Sequence, residues 1–216
     1  MKSWREVCKP NIEYKINDSR GSKIFEELVG NKDEYIYEIC EIVCKKLYKS
    51  PEEVPYFEKL TFIIDDFDGV AWKEGEPPHI TVAVSSNYLE KFNDEGGNIK
   101  EEVKGILIHE VTHAYQHSKN MELFIIEGIA DLTRYLSGYI DIKHRKAGGN
   151  YDGSYKITGF FFDYLREKHI DEFDFLYELN QMANPEREEM WNFKEFIKEK
   201  CGKEVEELWN EYQATL

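Results

Sequence analysis

The stretch His109-Glu110-Val111-Thr112-His113 lies near the middle of the chain, inside a segment whose pattern predicts one helix over residues 103–118. Apolar residues recur along this segment at helical spacing, so one side of the helix is expected to be buried. Because an α-helix turns by about 100° per residue, His109 and His113 are expected on the same side, one turn apart, with Glu110 beside them. The stretch therefore predicts a pair of imidazoles and a carboxylate at one place.

The spacing of these three residues suits a hydrolytic zinc site. Two imidazoles four residues apart on a helix can both reach one Zn²⁺ at about 2.0 to 2.1 Å. The carboxylate between them can hold a water molecule and accept its proton, which makes Glu110 the candidate general base. The alternative is that His109, Glu110 and His113 fell into this register by chance, and the motif alone leaves it open.

A third protein ligand is needed, because catalytic zinc sites use three protein ligands and leave one position open. Glu127 and Asp131 lie four residues apart on a second apolar segment, which also contains Gly128 and Ala130, two small residues that would let helix backbones approach closely. This Glu-Gly-x-Ala stretch is similar to the one that gluzincin metallopeptidases carry, which implies that Glu127 is the third ligand. Asp131 would then accept a hydrogen bond from a ligand histidine and orient it. The alternative is an amphipathic helix with both carboxylates in solvent.

His117 continues the four-residue spacing of the two histidines. If the helix extends that far, His117 lies about 12 Å along the axis from His109, too far for both to bind one ion. We therefore expect His117 near the surface and outside the metal site.

Further segments carry the resemblance beyond the two helices. They are, in chain order, Asp68-Gly69-Val70-Ala71, residues 80–84, Ser85-Ser86-Asn87-Tyr88, His113-Ala114-Tyr115-Gln116, Glu127-Gly128-Ile129-Ala130-Asp131-Leu132-Thr133-Arg134, Tyr151-Asp152-Gly153-Ser154-Tyr155 and Phe162-Asp163-Tyr164. In this order they resemble the basic secretory protein family, the peptidases of plants and bacteria, which are zincin-like proteins. The resemblance covers roughly residues 11–183. The chain departs from that family in being acidic and in showing no secretion signal.

The resemblance implies a metallopeptidase that hydrolyses peptide bonds in a peptide or protein substrate, with Zn²⁺ as its cofactor. Tyr155, preferred to Tyr151, is the candidate donor to the oxyanion, since a tyrosine hydroxyl suits that role. A glycine-containing loop, residues 138–153, includes Tyr151 and precedes Tyr155, and it could close on substrate. The alternative is that Tyr155 only packs the start of its helix.

A strand is predicted over residues 79–85, which alternate apolar and polar after Pro77-Pro78. Prolines at its start favour an edge position, because proline donates no hydrogen bond to a sheet. In zincins an edge strand pairs with extended substrate, so the resemblance implies that this role falls to the main chain of Ile80, Thr81, Val82, Ala83 and Val84. The alternative is an ordinary covered edge.

Strand patterns precede helical patterns along the chain, which predicts an α+β fold. We expect it to be zincin-like, with a small mixed N-terminal sheet, the active-site helix and a helical C-terminal part. Strands are predicted over residues 11–17, 60–64 and 79–85, and helices over residues 33–48, 103–118, 154–168, 171–183, 190–200 and 203–212. One domain, 1–216, is expected, with an N-terminal lobe of about 1–118 and a C-terminal lobe of about 119–216.

The charge and composition of the chain limit its possible binding partners and its expected cellular location. The formal net charge of −15 argues against nucleic acid or an anionic membrane surface as partner. No apolar run reaches the length of a membrane span, so none is predicted. The N-terminal residues lack the apolar stretch of a signal peptide, which favours the cytoplasm as the sequence is written, or secretion if the native N-terminus has been trimmed.

Two other functions are open on the sequence. One is a binding protein that keeps a zincin fold without catalysis, and the intact His-Glu-His set argues against it, because a binding module needs no general base. The other is a zinc hydrolase of a non-peptide amide or ester, which the sequence does not separate from a peptidase.

Overall fold

The computed structural model describes residues 2–170, 172–188 and 192–216. The chain divides into two compact units, Met1–Tyr115 and Gln116–Leu216, and this division lies close to the predicted lobe boundary near residue 118. The single-domain organisation stays a prediction.

The first unit contains a small mixed sheet together with helices, as the sequence predicts. Its strands are β1 (Asn11–Ile16), β2 (Lys59–Asp65), β3 (Ala71–Glu76) and β4 (His79–Ser85). Its helices are α1 (Trp4–Val7), α2 (Arg20–Val29), α3 (Lys32–Leu47), α4 (Ser86–Asp94) and α5 (Ile99–Tyr115), with a short 3-10 helix at Pro51–Glu53. The α+β class is confirmed, and α1, α2, α4 and β3 are elements that the sequence analysis did not predict.

The strand order of the sheet is β1-β2-β4-β3, with β1, β2 and β4 parallel and β3 antiparallel to β4. In β2 alternate side chains are buried, among them Phe62, whereas β4 has a continuous buried run from Val82 to Ser85. The sequence pattern identified both strands because large apolar residues occupy alternate positions, at 60, 62 and 64 in β2 and at 80, 82 and 84 in β4. By contrast, β3 has no buried residue and a polar composition, so it carries no such pattern.

The predicted edge position of β4 is wrong. Ile80, Thr81, Val82, Ala83 and Val84 pair with β2 on one side and with β3 on the other. Their main-chain groups are therefore used within the sheet and cannot add a substrate strand. Pro77 and Pro78 lie in the turn between β3 and β4, where no N–H group is needed for hydrogen bonds of the sheet.

Helix α5 begins and ends a few residues earlier than the sequence pattern suggested. The Asn98 side chain accepts a hydrogen bond from the Glu101 N–H at 3.4 Å, which caps the N-terminus. At the other end, the Tyr48 hydroxyl donates to the Tyr115 carbonyl at 2.5 Å and satisfies a terminal acceptor. Eleven of the 17 residues of α5 are buried, so it is a core helix within its unit.

The second unit is helical within the described residues. It contains α6 (Leu123–Leu136), α7 (Tyr155–Lys168), α8 (Glu172–Met182), α9 (Phe193–Cys201) and α10 (Val205–Gln213), with a short 3-10 helix at Ile142–His144. The helical C-terminal part is thus confirmed. The predicted helix starts at Asp171 and Met190 lie outside the described residues.

Helices α6 and α7 pack closely through small residues. A Cβ atom added at Gly128 would lie 2.5 Å from Thr158 Cγ2, and one added at Gly159 would lie 3.1 Å from Asp131 Cβ. The expected close approach at Gly128 is therefore confirmed. It sets the position of α6, which carries Glu127 and Asp131.

Gly21→Ala should destabilise the first unit. A Cβ atom at Gly21 would overlap the main-chain carbonyl of Ser86, so α2 and α4 would have to move apart. We expect the free energy of unfolding to fall by about 1 to 3 kcal/mol, as for overpacked cores. Urea unfolding of this variant and of Glu27→Ala, an exposed position on the same helix, measures the difference. Equal stability of the two variants would contradict this close approach of α2 and α4.

Candidate metal centre

Helix α5 brings His109 and His113 together. Their Nε2 atoms lie 3.0 Å apart, and their ring planes are nearly perpendicular, at 88°. Two nitrogen atoms bound to one tetrahedral Zn²⁺ at about 2.0 to 2.1 Å would lie about 3.3 Å apart. The separation in the structure is close to this value, so both imidazoles present a nitrogen to the same small volume.

Glu127 completes a group of three potential ligands. His109, His113 and Glu127 each offer one ligand atom, and these atoms lie within 4.8 Å of one another. His109 is buried, and the other two are half-buried. Two imidazoles and one carboxylate form a donor set found in catalytic zinc sites, so the residues present fit a metal ion. Among the described residues, no other group of three His, Cys, Asp or Glu side chains meets this criterion.

Glu110 follows His109 on α5 and is only 7% exposed. It is absent from the group of potential ligands formed by His109, His113 and Glu127. A general base must lie close to the metal ligands without binding the metal itself, and the position of Glu110 is compatible with that role.

Asp131 is buried on α6, with only 3% of its surface exposed. The alternative, an amphipathic helix with both carboxylates in solvent, is therefore wrong for Asp131. Glu127 is half-buried. The cause is α7, which packs so closely on α6 that Gly159 faces Asp131. A hydrogen bond from Asp131 to a ligand histidine stays a prediction.

Tyr155 is the first residue of α7 and is 57% exposed, and its role as an oxyanion donor stays a prediction. Its φ is 48° and that of Ser154 is 62°, values that residues other than glycine rarely adopt. Tyr151, in contrast, packs its ring against Phe124 and Phe193. The structure thus leaves Tyr155 accessible and uses Tyr151 for packing.

His117 lies after the end of α5 and outside the group of potential ligands. Its N–H donates to Asn180 Oδ1 at 2.8 Å, and burial lowers the pKa of its half-buried imidazole. The expectation that His117 is separate from the metal ligands is consistent with this placement.

The sequence analysis missed two residues of α7 that contact α6, the helix that carries Glu127 and Asp131. Thr158 and Gly159 contact α6 at Gly128 and at Asp131, and Thr158 is completely buried. The only available sequence signal was the small size of Thr158 and Gly159 at neighbouring positions, which is weak when taken alone.

These features define an α+β protein with a candidate metal centre made of two helical histidines and a glutamate. A family model described as "Peptidase of plants and bacteria" matches residues 9–212, and the chain belongs to this family. The recognition made from the sequence motifs is confirmed, and the description supports a peptidase-like hydrolase function. No curated protein matches the chain, and no solved structure matches it.

A membrane-spanning helix is absent from the part of the chain that the structure describes, since none of its helices is both long and apolar enough.

Proposed function

We propose that the protein is a zinc-dependent metallopeptidase that hydrolyses peptide bonds in peptide or protein substrates. The observation that carries the proposal is the pair of imidazole nitrogens 3.0 Å apart on α5, in a chain that belongs to a peptidase family. His109, His113 and Glu127 would hold the ion. When bound, Zn²⁺ would polarise the scissile carbonyl and lower the pKa of a water molecule.

Glu110 would act as the general base and then as the general acid. Its carboxylate takes a proton from the attacking water as the water oxygen bonds to the carbonyl carbon. The same proton then passes to the amine nitrogen as the carbon–nitrogen bond breaks. Asp131 would accept a hydrogen bond from a ligand imidazole, which fixes the tautomer and the ring orientation.

Tyr155 would donate a hydrogen bond to the oxyanion that forms on the former carbonyl oxygen. Tyr155 is 57% exposed, so its side chain is accessible from solvent. The positive φ values at Ser154 and Tyr155 support the proposal, because strained backbone of this kind clusters at functional sites.

Tyr155→Phe should lower kcat by about 10²-fold, because one preorganised oxyanion donor is lost. Zinc content and thermal stability should stay unchanged, since the ring remains and the hydroxyl is not a ligand. Steady-state kinetics on a quenched peptide measure the effect, with Tyr56→Phe, at a position that is 79% exposed, as the matched control. Unchanged turnover in the Tyr155 variant would remove this residue from the mechanism.

The function as a whole is tested by metal analysis combined with a peptide-library or casein assay. We expect one zinc per chain, hydrolysis that a chelator abolishes, and recovery on addition of one equivalent of Zn²⁺. Zinc binding without turnover of any peptide would instead indicate a binding protein. Turnover of esters or non-peptide amides alone would indicate another hydrolase.

A further inference from the structure

The α6–α7 loop, residues 137–154, contains one arginine that turns inward. Every residue from 141 to 150 is exposed except Arg145, whose side chain is only 17% exposed. Its guanidinium carbon lies 5.0 Å from the centre of the Tyr212 ring, and its Nη1 atom lies 3.7 Å from Asp163 Oδ2. The side chain of Arg145 therefore connects the loop to α7, through Asp163, and to α10, through Tyr212.

The partner carboxylate on α7 is completely buried. Asp163 Oδ1 accepts hydrogen bonds from Arg166 Nε at 3.1 Å and from Arg166 Nη2 at 2.8 Å. Asp163 Oδ2 makes no hydrogen bond within the described residues, so Arg145 is the cation that faces this oxygen. Burial raises the pKa of Asp163, and the charges of Arg166 and Arg145 oppose that rise. A buried carboxylate needs such compensation, and Arg145 supplies part of it from the loop.

Two further contacts hold the same loop. The Gly148 N–H donates to Gln213 Oε1 at 2.6 Å, and the Tyr151 carbonyl accepts from Thr158 Oγ1 at 2.8 Å. Gly148 has a φ of 109°, which favours glycine. The loop that the sequence suggested could close on substrate is thus attached to α7 and α10 at several points. The loop ends at Ser154, and Tyr155 follows it as the first residue of α7. Both residues have positive φ values, which persist only where neighbouring contacts impose them.

We propose that Arg145 is a positioning residue, which holds the α6–α7 loop against Asp163 so that Tyr155 presents its hydroxyl in one orientation. This inference rests on the proposed role of Tyr155. Arg145 itself would touch neither substrate nor metal. Its effect is transmitted through the backbone of the loop to the first residue of α7.

The test compares Arg145→Met, which keeps an unbranched stem over Tyr212 but removes the charge, with Lys146→Met on an exposed neighbouring position. In Arg145→Met we expect hydrogen exchange at the Gly148 amide to accelerate at least about 10-fold, because its hydrogen bond opens more often. Lys146→Met should exchange like the wild type. Unchanged exchange in Arg145→Met would overturn the proposed attachment.

Kinetics then decide whether the attachment acts through Tyr155. Arg145→Met should lower kcat about 10-fold with little change in KM and in zinc content, and Arg145→Lys should recover part of the loss. In a Tyr155→Phe background, Arg145→Met should have no further effect on kcat. Equal losses in both backgrounds would refute positioning through Tyr155.

A second variant covers the case in which Arg145→Met does not fold. Gln213→Leu removes the acceptor of the Gly148 N–H without leaving a charge unpaired, and it should produce the same exchange and kinetic pattern. Normal exchange in Gln213→Leu would overturn the proposal. A wild-type protein that hydrolyses no peptide would refute the proposed function, while the exchange data would still decide whether Arg145 holds the loop.

Discussion

Glu110→Gln should keep one zinc per chain and lose hydrolysis, with kcat/KM falling by about 10²- to 10⁴-fold, the usual contribution of a general base. The amide is nearly the same size as the carboxylate, so α5 and the two histidines should stay in place. It cannot accept a proton from water, which removes the proposed first step. Metal analysis and peptide kinetics on the same preparation separate the two properties.

Glu101→Gln is the matched control for this result, because it makes the same change at an exposed position on the same helix. It should keep both zinc and activity. Loss of zinc from Glu110→Gln would show that Glu110 is a ligand, and full activity would exclude it as the base.

Glu127→Ala should release most of the zinc and, with it, nearly all activity. Its carboxylate is the third of the ligand atoms that lie within 4.8 Å of one another, and two imidazoles alone make an incomplete catalytic site. Asp131→Asn should weaken affinity or activity by only about 10- to 100-fold, as is typical of residues that orient a ligand. Competition with a zinc chelator gives the two affinities on one scale.

Glu122→Gln, just before α6 at an exposed position, is the control for a lost carboxylate in the same region. Its zinc affinity should equal that of the wild type. If Asp131→Asn lost more zinc than Glu127→Ala, the two acidic residues would have to exchange roles.

Much of the candidate site was predictable because its residues are close in sequence. The distance between His109 and His113 follows from helix geometry alone, since residues four apart share a face. Glu127 is also near in sequence, and its family-like surroundings indicated it as a ligand. Spacing along one helix, however, does not fix the distance between Glu127 and the two histidines, because they belong to different helices.

The burial of Asp131 and the attachment of Arg145 could not be predicted in this way. Asp131 is buried because Gly159 lets α7 approach it, 28 residues further along the chain. Arg145 faces Asp163 across a loop and part of a helix. Neither contact leaves a periodic pattern, since each depends on how separate elements pack.

The sequence by itself determined the α+β class, the helical placement of His109 and His113, and the strand character of residues 79–85. These properties follow from local spacing, which has a period near 3.6 in helices and 2 in strands. Only the tertiary structure decided that β4 lies inside the sheet, because β3 is polar and was not recognised as its neighbour. Although β3 and β4 are joined by a two-residue turn, their pairing rests on main-chain hydrogen bonds, which can form whatever the side chains are. A polar strand can therefore cover the edge of an apolar one without any sign of it in the pattern of either.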